Sequence, residues 1–377
     1  MNAPAVRFHE SDAFHAELKR RVNGYFERAG VSPRGHRLCY AKTLVILLWL
    51  VVSYVLLVGV ARAPWQYALS AVSLGLAMAG VGFNIQHDAN HGAYSRRRSV
   101  NRLLGLSLDL VGGSSYIWKW KHNVFHHTYP NIVGLDEDID VGFLARLAPA
   151  QPRLPHHRYQ HIYTWALYGM LVMKWHFFDD FHNLVTGRIG NRKFTRPSGW
   201  DLFLMLAGKV LFFAWAVVVP SLLHPLWAVA LLYAIVASTL GVVVAISFQL
   251  AHCVSEAEFF DAGAVARGTP TGWAAHQLHT TVDFAPRSRL INWYLGGLNF
   301  QIEHHLFPKI CHLHYPALAP LVESTCREFG IPYRVNRTLR AALASHARWL
   351  RDMGRPEPAR RQDREEMHSA FRAGHPT

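Results

Sequence analysis

The most constraining feature of this chain is a set of four apolar runs, each of a length that crosses a bilayer. They cover Thr43–Ala61, Tyr67–Ile85, Leu202–Leu223 and Leu226–Leu250. About 20 apolar residues in a helix span the hydrocarbon layer, and a spanning segment must satisfy its own backbone hydrogen bonds. Each pair of runs is separated by a few residues only: Arg62 to Gln66, with Pro64, in the first pair, and His224-Pro225 in the second. The expected fold is therefore an all-α integral membrane protein with four spans in two hairpins. Both hairpins return to the side on which they began, so the long polar segments at residues 1–42, 86–200 and 251–377 share one side. Leu103–Val111 and Ile162–Trp175 are apolar but short, and are expected at the interface. Lys209, inside the third run, is expected to snorkel to the nearby interface.

Orientation follows from charge. Nearly all of the 39 Lys and Arg lie outside the hairpin tips; the first tip holds only Arg62 and the second none. The positive-inside rule puts both termini and the polar segments in the cytoplasm. The formal charge of +14 fits an anionic membrane surface, and with four spans present nucleic acid is not an expected partner. The N-terminus lacks the pattern of a cleaved signal. The four cysteines, Cys39, Cys253, Cys311 and Cys326, form no CxxC pair and imply no disulfide framework. The expected division is a cytoplasmic segment 1–42, with an amphipathic helix from Asp12 to Ala29, a membrane domain 43–354, and a charged, disordered tail 355–377.

Histidine is unusually frequent, at 24 residues. His87 and His91 follow the second run at a spacing of i, i+4, which places both rings on one helix face. His122 and His126 repeat that spacing, with His127 about 100° further round an α-helix. His304 and His305 are adjacent, and His252 ends the fourth run. These eight all fall on the predicted cytoplasmic side. One zinc needs about four ligands, so eight suit two metals with positions left open. Imidazole ligands alone suit iron, copper, zinc or nickel. Adjacent rings at 126–127 and 304–305 can serve different metals.

The motifs "HDANH", "HNVFHHTYPN" and "GGLNFQIEHHLFP" resemble the three histidine boxes of membrane fatty acid desaturases. "FQLAH" at 248–252 and "HQLHTTVDF" at 276–284 also resemble the subgroup with front-end, linoleoyl-CoA-type and sphingolipid Delta-8 members. The similarity runs from about Gly80 to Tyr333. It implies two non-haem iron ions held by His87, His91, His122, His126, His127, His252, His304 and His305, with molecular oxygen as co-substrate and a fatty acyl chain, on CoA or lipid, as substrate. Gln301 stands where many relatives outside the subgroup have a ninth histidine, and is a candidate for weak or water-mediated ligation. Front-end members often carry a fused cytochrome b5 domain with an HPGG motif. No HPGG occurs here, so electrons are expected from a separate donor, a ferredoxin or free cytochrome b5-like protein with its reductase.

Asp88 and Glu303, inside the boxes, are candidates to orient the ligating rings. The acidic group Asp136, Glu137, Asp138 and Asp140 is expected to be a solvated loop. His276 and His279 are not expected to bind metal. His156, His157, His161, His176, His182, His312 and His314 are expected at interfaces. Trp118, Lys119, Trp120 and Lys121 are expected to anchor a helix at the headgroups, and Arg96, Arg97 and Arg98 to enforce topology. Two rival functions stand beside the desaturase: a membrane di-iron hydroxylase of alkanes or carotenoids, and a non-catalytic membrane metal-site protein.

Overall fold

A computed structural model describes residue 8, residues 13–266 and residues 272–356. Within them four helices are long and apolar enough to cross a membrane: Arg37–Val60, Pro64–His91, Gly199–Ser221 and Leu226–His252. Pro64 opens the second span, where its missing N–H would be unpaired in any case. The Gln66 side chain accepts hydrogen bonds from the backbone N–H groups of Arg62 and Ala63 and closes the tight turn between the first two spans.

Three of the helices run past their apolar stretches at the end where the polar segments gather. The first starts at Arg37, the second continues beyond Ile85 to His91, and the fourth beyond Leu250 to His252. Gln86 to His91 are all buried, so protein has replaced lipid around these last turns. The second span stops at Gly92 (φ 74°), whose left-handed backbone lets the N–H groups of Gly92 and Ala93 cap the Ala89 and Asp88 carbonyls. Just before the first box, Gly82–Gln86 is wound as a π-helix, and Lys119–His126 is π-helical throughout.

The second and fourth spans meet across Gly75. A Cβ there would lie 2.7 Å from both Thr239 Cβ and the Val236 carbonyl oxygen, so only glycine permits the approach. Ile46 of the first span packs on Gly80. The third span lies at the edge of this group. Its Lys209 does not snorkel to the headgroups. Nζ sits 2.7 Å from Asp180 Oδ2 and donates to the carbonyls of Gly112 (2.6 Å) and Trp175 (3.2 Å). A charge at this depth needs a counter-charge and filled hydrogen bonds, and the interfacial segments fold inward to supply them. Their outward faces keep Leu103, Ile162, Met170, Phe177 and Phe178 exposed, as the membrane interface favours.

A helical cap covers the ends of the spans at which the polar segments gather. The helix Ala13–Ala29 buries Phe14, Leu18, Val22 and Phe26, one apolar stripe, against Leu278, Ile302, Leu306, Leu318 and Val322. The polar N-terminal segment is thus built into the cap. The helix Leu339–Gly354, capped by the Thr338 hydroxyl, packs Trp349, Leu350 and Met353 on Ile139 and Leu147. Two parallel pairs, Ile132–Val133 with Phe260–Asp261 and Asp283–Phe284 with Val335–Asn336, tie distant segments of the cap together. Of the tail expected at 355–377, residues 357–377 lie outside the described residues.

Candidate metal centre

The ends of the second and fourth spans, the π-helix Lys119–His126 and the short helix Gln301–Leu306 bring all eight box histidines into one buried pocket. The rings fall into two groups. One ring nitrogen each of His87, His91, His122 and His304 lies within 4.8 Å of the others, and His126, His252 and His305 form a second such set. The adjacent rings of His304 and His305 part, one into each set. His127 lies between the sets, its ring 4.7 Å from His91, 4.6 Å from His304 and 4.4 Å from His305.

The second box differs from the α-helix expected for it. Its π winding pairs His127 N–H with the His122 carbonyl, i to i+5, at 3.0 Å. The wider turn stacks residue i over i+5, so His127 Nε2 comes to 3.2 Å from His122 Nε2. His87 Nε2 approaches the same atom at 3.3 Å. His126 turns away into the other set, where Phe248 covers it.

Four rings are fixed from outside the pocket through their Nδ1 atoms. His126 Nδ1–H donates to Asp136 Oδ2 at 3.1 Å, His305 to Gln277 Oε1 at 2.8 Å and His252 to the Thr280 carbonyl at 3.2 Å, while His304 shares a 3.3 Å hydrogen bond with the Tyr315 hydroxyl. Five ring nitrogens of the eight histidines have no partner at all. His91 Nε2, His126 Nε2, His127 Nδ1, His304 Nε2 and His305 Nε2 are buried with no hydrogen bond. Each unpaired buried polar atom costs about 1–3 kcal/mol, so five around one pocket are a large penalty unless a further group binds them. At His126, His304 and His305 the outer Nδ1 is held and Nε2 is left free, which is the arrangement of metal-ligating imidazole, and the residues fit a two-metal centre. Gln301 stands beside the second set, Nε2 3.1 Å from His252 Nε2 and Oε1 buried without a partner.

The electrostatics agree with that use at four of the rings. Burial, reinforced by neighbouring imidazoles, holds His122, His127, His304 and His305 well below the ordinary histidine range, so their rings stay neutral and able to ligate. At His126 burial acts in the same sense, but the Asp136 carboxylate outweighs it and raises the pKa.

A fatty acid desaturase family model matches residues 63–337. The sn-1 linoleoyl-lipid 6-desaturase of Arthrospira platensis is 41% identical over 350 residues, which is 92% of this chain and 94% of that one. The enzyme of the same name from Synechocystis sp. is 35% identical over 356 residues, 94% and 99% of the two chains. An acyl-lipid (8-3)-desaturase of Physcomitrium patens is 39% identical over 353 residues, 92% of this chain and 73% of that one. The chain belongs to the fatty acid desaturase family. It is an oxidoreductase and, with four apolar spans, a membrane protein.

Around the centre, the desaturase departs from several sequence expectations. Asp88 hydrogen-bonds no box histidine; its Oδ2 accepts from His312 Nδ1–H at 2.8 Å and from the His312 backbone. Glu303 turns to the Tyr333 hydroxyl (3.0 Å), which also donates to Asp283 at 2.7 Å. The role expected of these two falls to Asp136, 2% exposed, which also accepts from the Asn131 backbone N–H at 2.9 Å. The acidic loop is therefore solvated only in part, because Asp136 and the ion pair of Asp138 with Lys121 (3.1 Å) draw it inward. Trp118 is no headgroup anchor: its ring stacks on His122 at 4.4 Å, sealing the pocket. His157, His176 and His312 are buried inside the protein and not at an interface. His276 hydrogen-bonds the Pro130 carbonyl and His279 the Glu258 carboxylate, so neither joins the centre.

Asn131, which nothing in the sequence singled out, holds a left-handed backbone (φ 55°) and donates through Nδ2 to the carbonyls of His252 (2.9 Å) and Glu258 (3.0 Å). The weak available signal was its place at the end of "HNVFHHTYPN", since asparagine is among the few residues that adopt that conformation readily.

Proposed function

We propose that this desaturase holds two iron ions and inserts a double bond at position 6 of a linoleoyl chain esterified to a membrane lipid. His87, His91, His122 and His304 would hold one ion, and His126, His252 and His305, with the Gln301 carbonyl oxygen beside them, the other; His127 lies within reach of both. The carrying observation is the five buried ring nitrogens left without partners around one pocket. When bound, reduced iron supplies the activation of oxygen needed to take hydrogen from an unactivated methylene, which no side chain in the pocket can do.

The protein's own part is positional. Asp136, Gln277 and the Thr280 carbonyl hold the outer ring N–H groups, and Trp118 and Phe248 cover the rings against water. Each double bond consumes one oxygen molecule and two electrons from outside the chain, which a separate ferredoxin or cytochrome b5-like donor would deliver. The lipid-linked substrate and position 6 rest on similarity to the A. platensis and Synechocystis enzymes over nearly their full lengths. Both termini and the centre are assigned to the cytoplasm, on the weight of Lys and Arg outside the hairpin tips.

The test is gas chromatography–mass spectrometry of total fatty acids from a host supplied with linoleate and a redox donor, beside a His305→Ala control. A new trienoic species with its added bond at carbon 6, found on lipid and absent from the control, is expected. A bond at another carbon, a hydroxylated product, or undiminished activity in the control would each overturn the corresponding part of the proposal.

A further inference from the structure

On the other side of the first box lies a second cluster of metal-ligating side chains that the desaturase reaction does not use. Cys39 comes from the start of the first span, Asp88 from the first box, and Cys311 and His312 from the segment after the third box. One ligand atom of each lies within 4.8 Å of the others. All four are at most 2% exposed. The two sulfurs are 3.0 Å apart, and His312 Nδ1 is 2.8 Å from Asp88 Oδ2. We propose that Cys39, Asp88, Cys311 and His312 form a tetrahedral zinc site, separate from the histidine centre, that ties the first span to the first and third boxes.

The donor set decides the metal. Two sulfurs, one imidazole nitrogen and one carboxylate oxygen suit zinc in a closed four-coordinate structural site. The eight-imidazole pocket offers no sulfur, so the two centres differ in kind. The charges also close. Zinc with two thiolates and one carboxylate carries −1, and the buried ammonium of Lys42, 3.1 Å from His312 Nε2, restores neutrality. Binding releases the two thiol protons and moves the His312 proton from Nδ1 to Nε2. The Lys42 ammonium, a donor only, then turns from Nε2 toward the thiolates. The consequence is mechanical. Asp88 sits between His87 and His91, and Cys311 N–H donates to the Pro33 carbonyl at 2.8 Å, so one ion clamps the box 1 turn to the chain on either side of it.

Cobalt substitution tests this on the full-length protein in detergent. Chelator-stripped protein is titrated with Co2+, and thiolate-to-cobalt charge transfer in the near ultraviolet is recorded; histidine-bound cobalt gives no such band. The expected result is a band in wild type that is lost in Cys39→Ser and Cys311→Ser and kept in His305→Ala. Protein as purified should carry about one zinc per chain in addition to its iron. Folded wild type that takes up cobalt without the band overturns the proposal. So does a Cys39–Cys311 disulfide found by non-reducing peptide mass spectrometry. The wild-type spectrum decides the matter even where the cysteine variants fail to fold.

Discussion

Two populations of buried histidine lie within one protein, and they differ in what their second nitrogen does. In the layers around the centre most rings are satisfied on both sides. His176 meets the Tyr233 hydroxyl (2.7 Å) and the Val111 carbonyl (3.1 Å), and His346 meets the Cys253 carbonyl and the Tyr168 hydroxyl, both at 2.6 Å. In the box pocket His126, His304 and His305 have the outer nitrogen held and the inner one free. Burial alone therefore says little about a histidine's role. A polar atom left unpaired at the end of a fixed ring says more, because the fold tolerates its cost only where something else binds. His276, with Nε2 on the Pro130 carbonyl and Nδ1 unpaired, is an outer-layer exception, and the half-buried His161 also leaves Nδ1 unpaired.

That contrast can be broken by mutation, and the largest effect is expected inside the pocket. His305→Ala should abolish iron binding at one position and reduce desaturation more than 100-fold, while the purified protein keeps its helical circular dichroism; metal analysis beside product analysis checks both. Next is Asp136→Asn, which keeps the size of the side chain but weakens its hold on His126 Nδ1–H. Loss of such an outer partner costs about 10–100-fold in metal affinity, readable as faster iron loss to a chelator. In the outer layer, His346→Leu should leave iron content unchanged and lower stability by about 1–3 kcal/mol, because the Cys253 carbonyl and Tyr168 hydroxyl lose their partner; thermal unfolding in detergent reports it.

The smallest effect sharpens the comparison at its exception. Burial lowers the His276 pKa to about 4, with the Pro130 carbonyl acting the other way. An unfolded histidine takes up its proton near pH 6.5 and the buried ring does not. Its contribution is therefore full above pH 6.5 and is lost as pH falls from there toward 4. His276→Gln should make the acid limb of stability shallower by up to one proton, about 1.4 kcal/mol per pH unit, with iron stoichiometry unaffected. Thermal midpoints of both proteins between pH 7 and 4.5 would show it, and parallel curves would refute it.

The spans and seven of the eight histidines were legible because their signals are local: apolar runs of fixed length, and imidazoles i, i+4 apart or adjacent; the single His252 was marked by its place at the end of the fourth run and by the family resemblance. What holds the rings is not local. Asp136 reaches His126 across a loop, and Gln277 reaches His305 from another helix, so neither spacing nor residue type marked them. Asp88 was misassigned for the same reason: inside a box by sequence, its carboxylate faces His312, 224 positions away. The sequence suggests that Lys209 snorkels to the interface because a linear reading cannot see Asp180 folding in beside it. The π winding of the second box also escaped, since its residues carry the same i, i+4 pattern an α-helix would, and the pairing of His122 with His127 depends on that winding.

The π-helix at Gly82–Gln86 has a consequence for how this part of the chain can vary. It stands directly before His87, and one residue more or less in a helix rotates everything after it by about 100°. A single deletion between 82 and 86 would leave the span as apolar, as charged and nearly as long as before, yet would swing His87 and His91 off the pocket. Substitutions there are judged by packing, but insertions and deletions by an angle. Functional relatives should therefore differ in the letters of this turn and agree in their number.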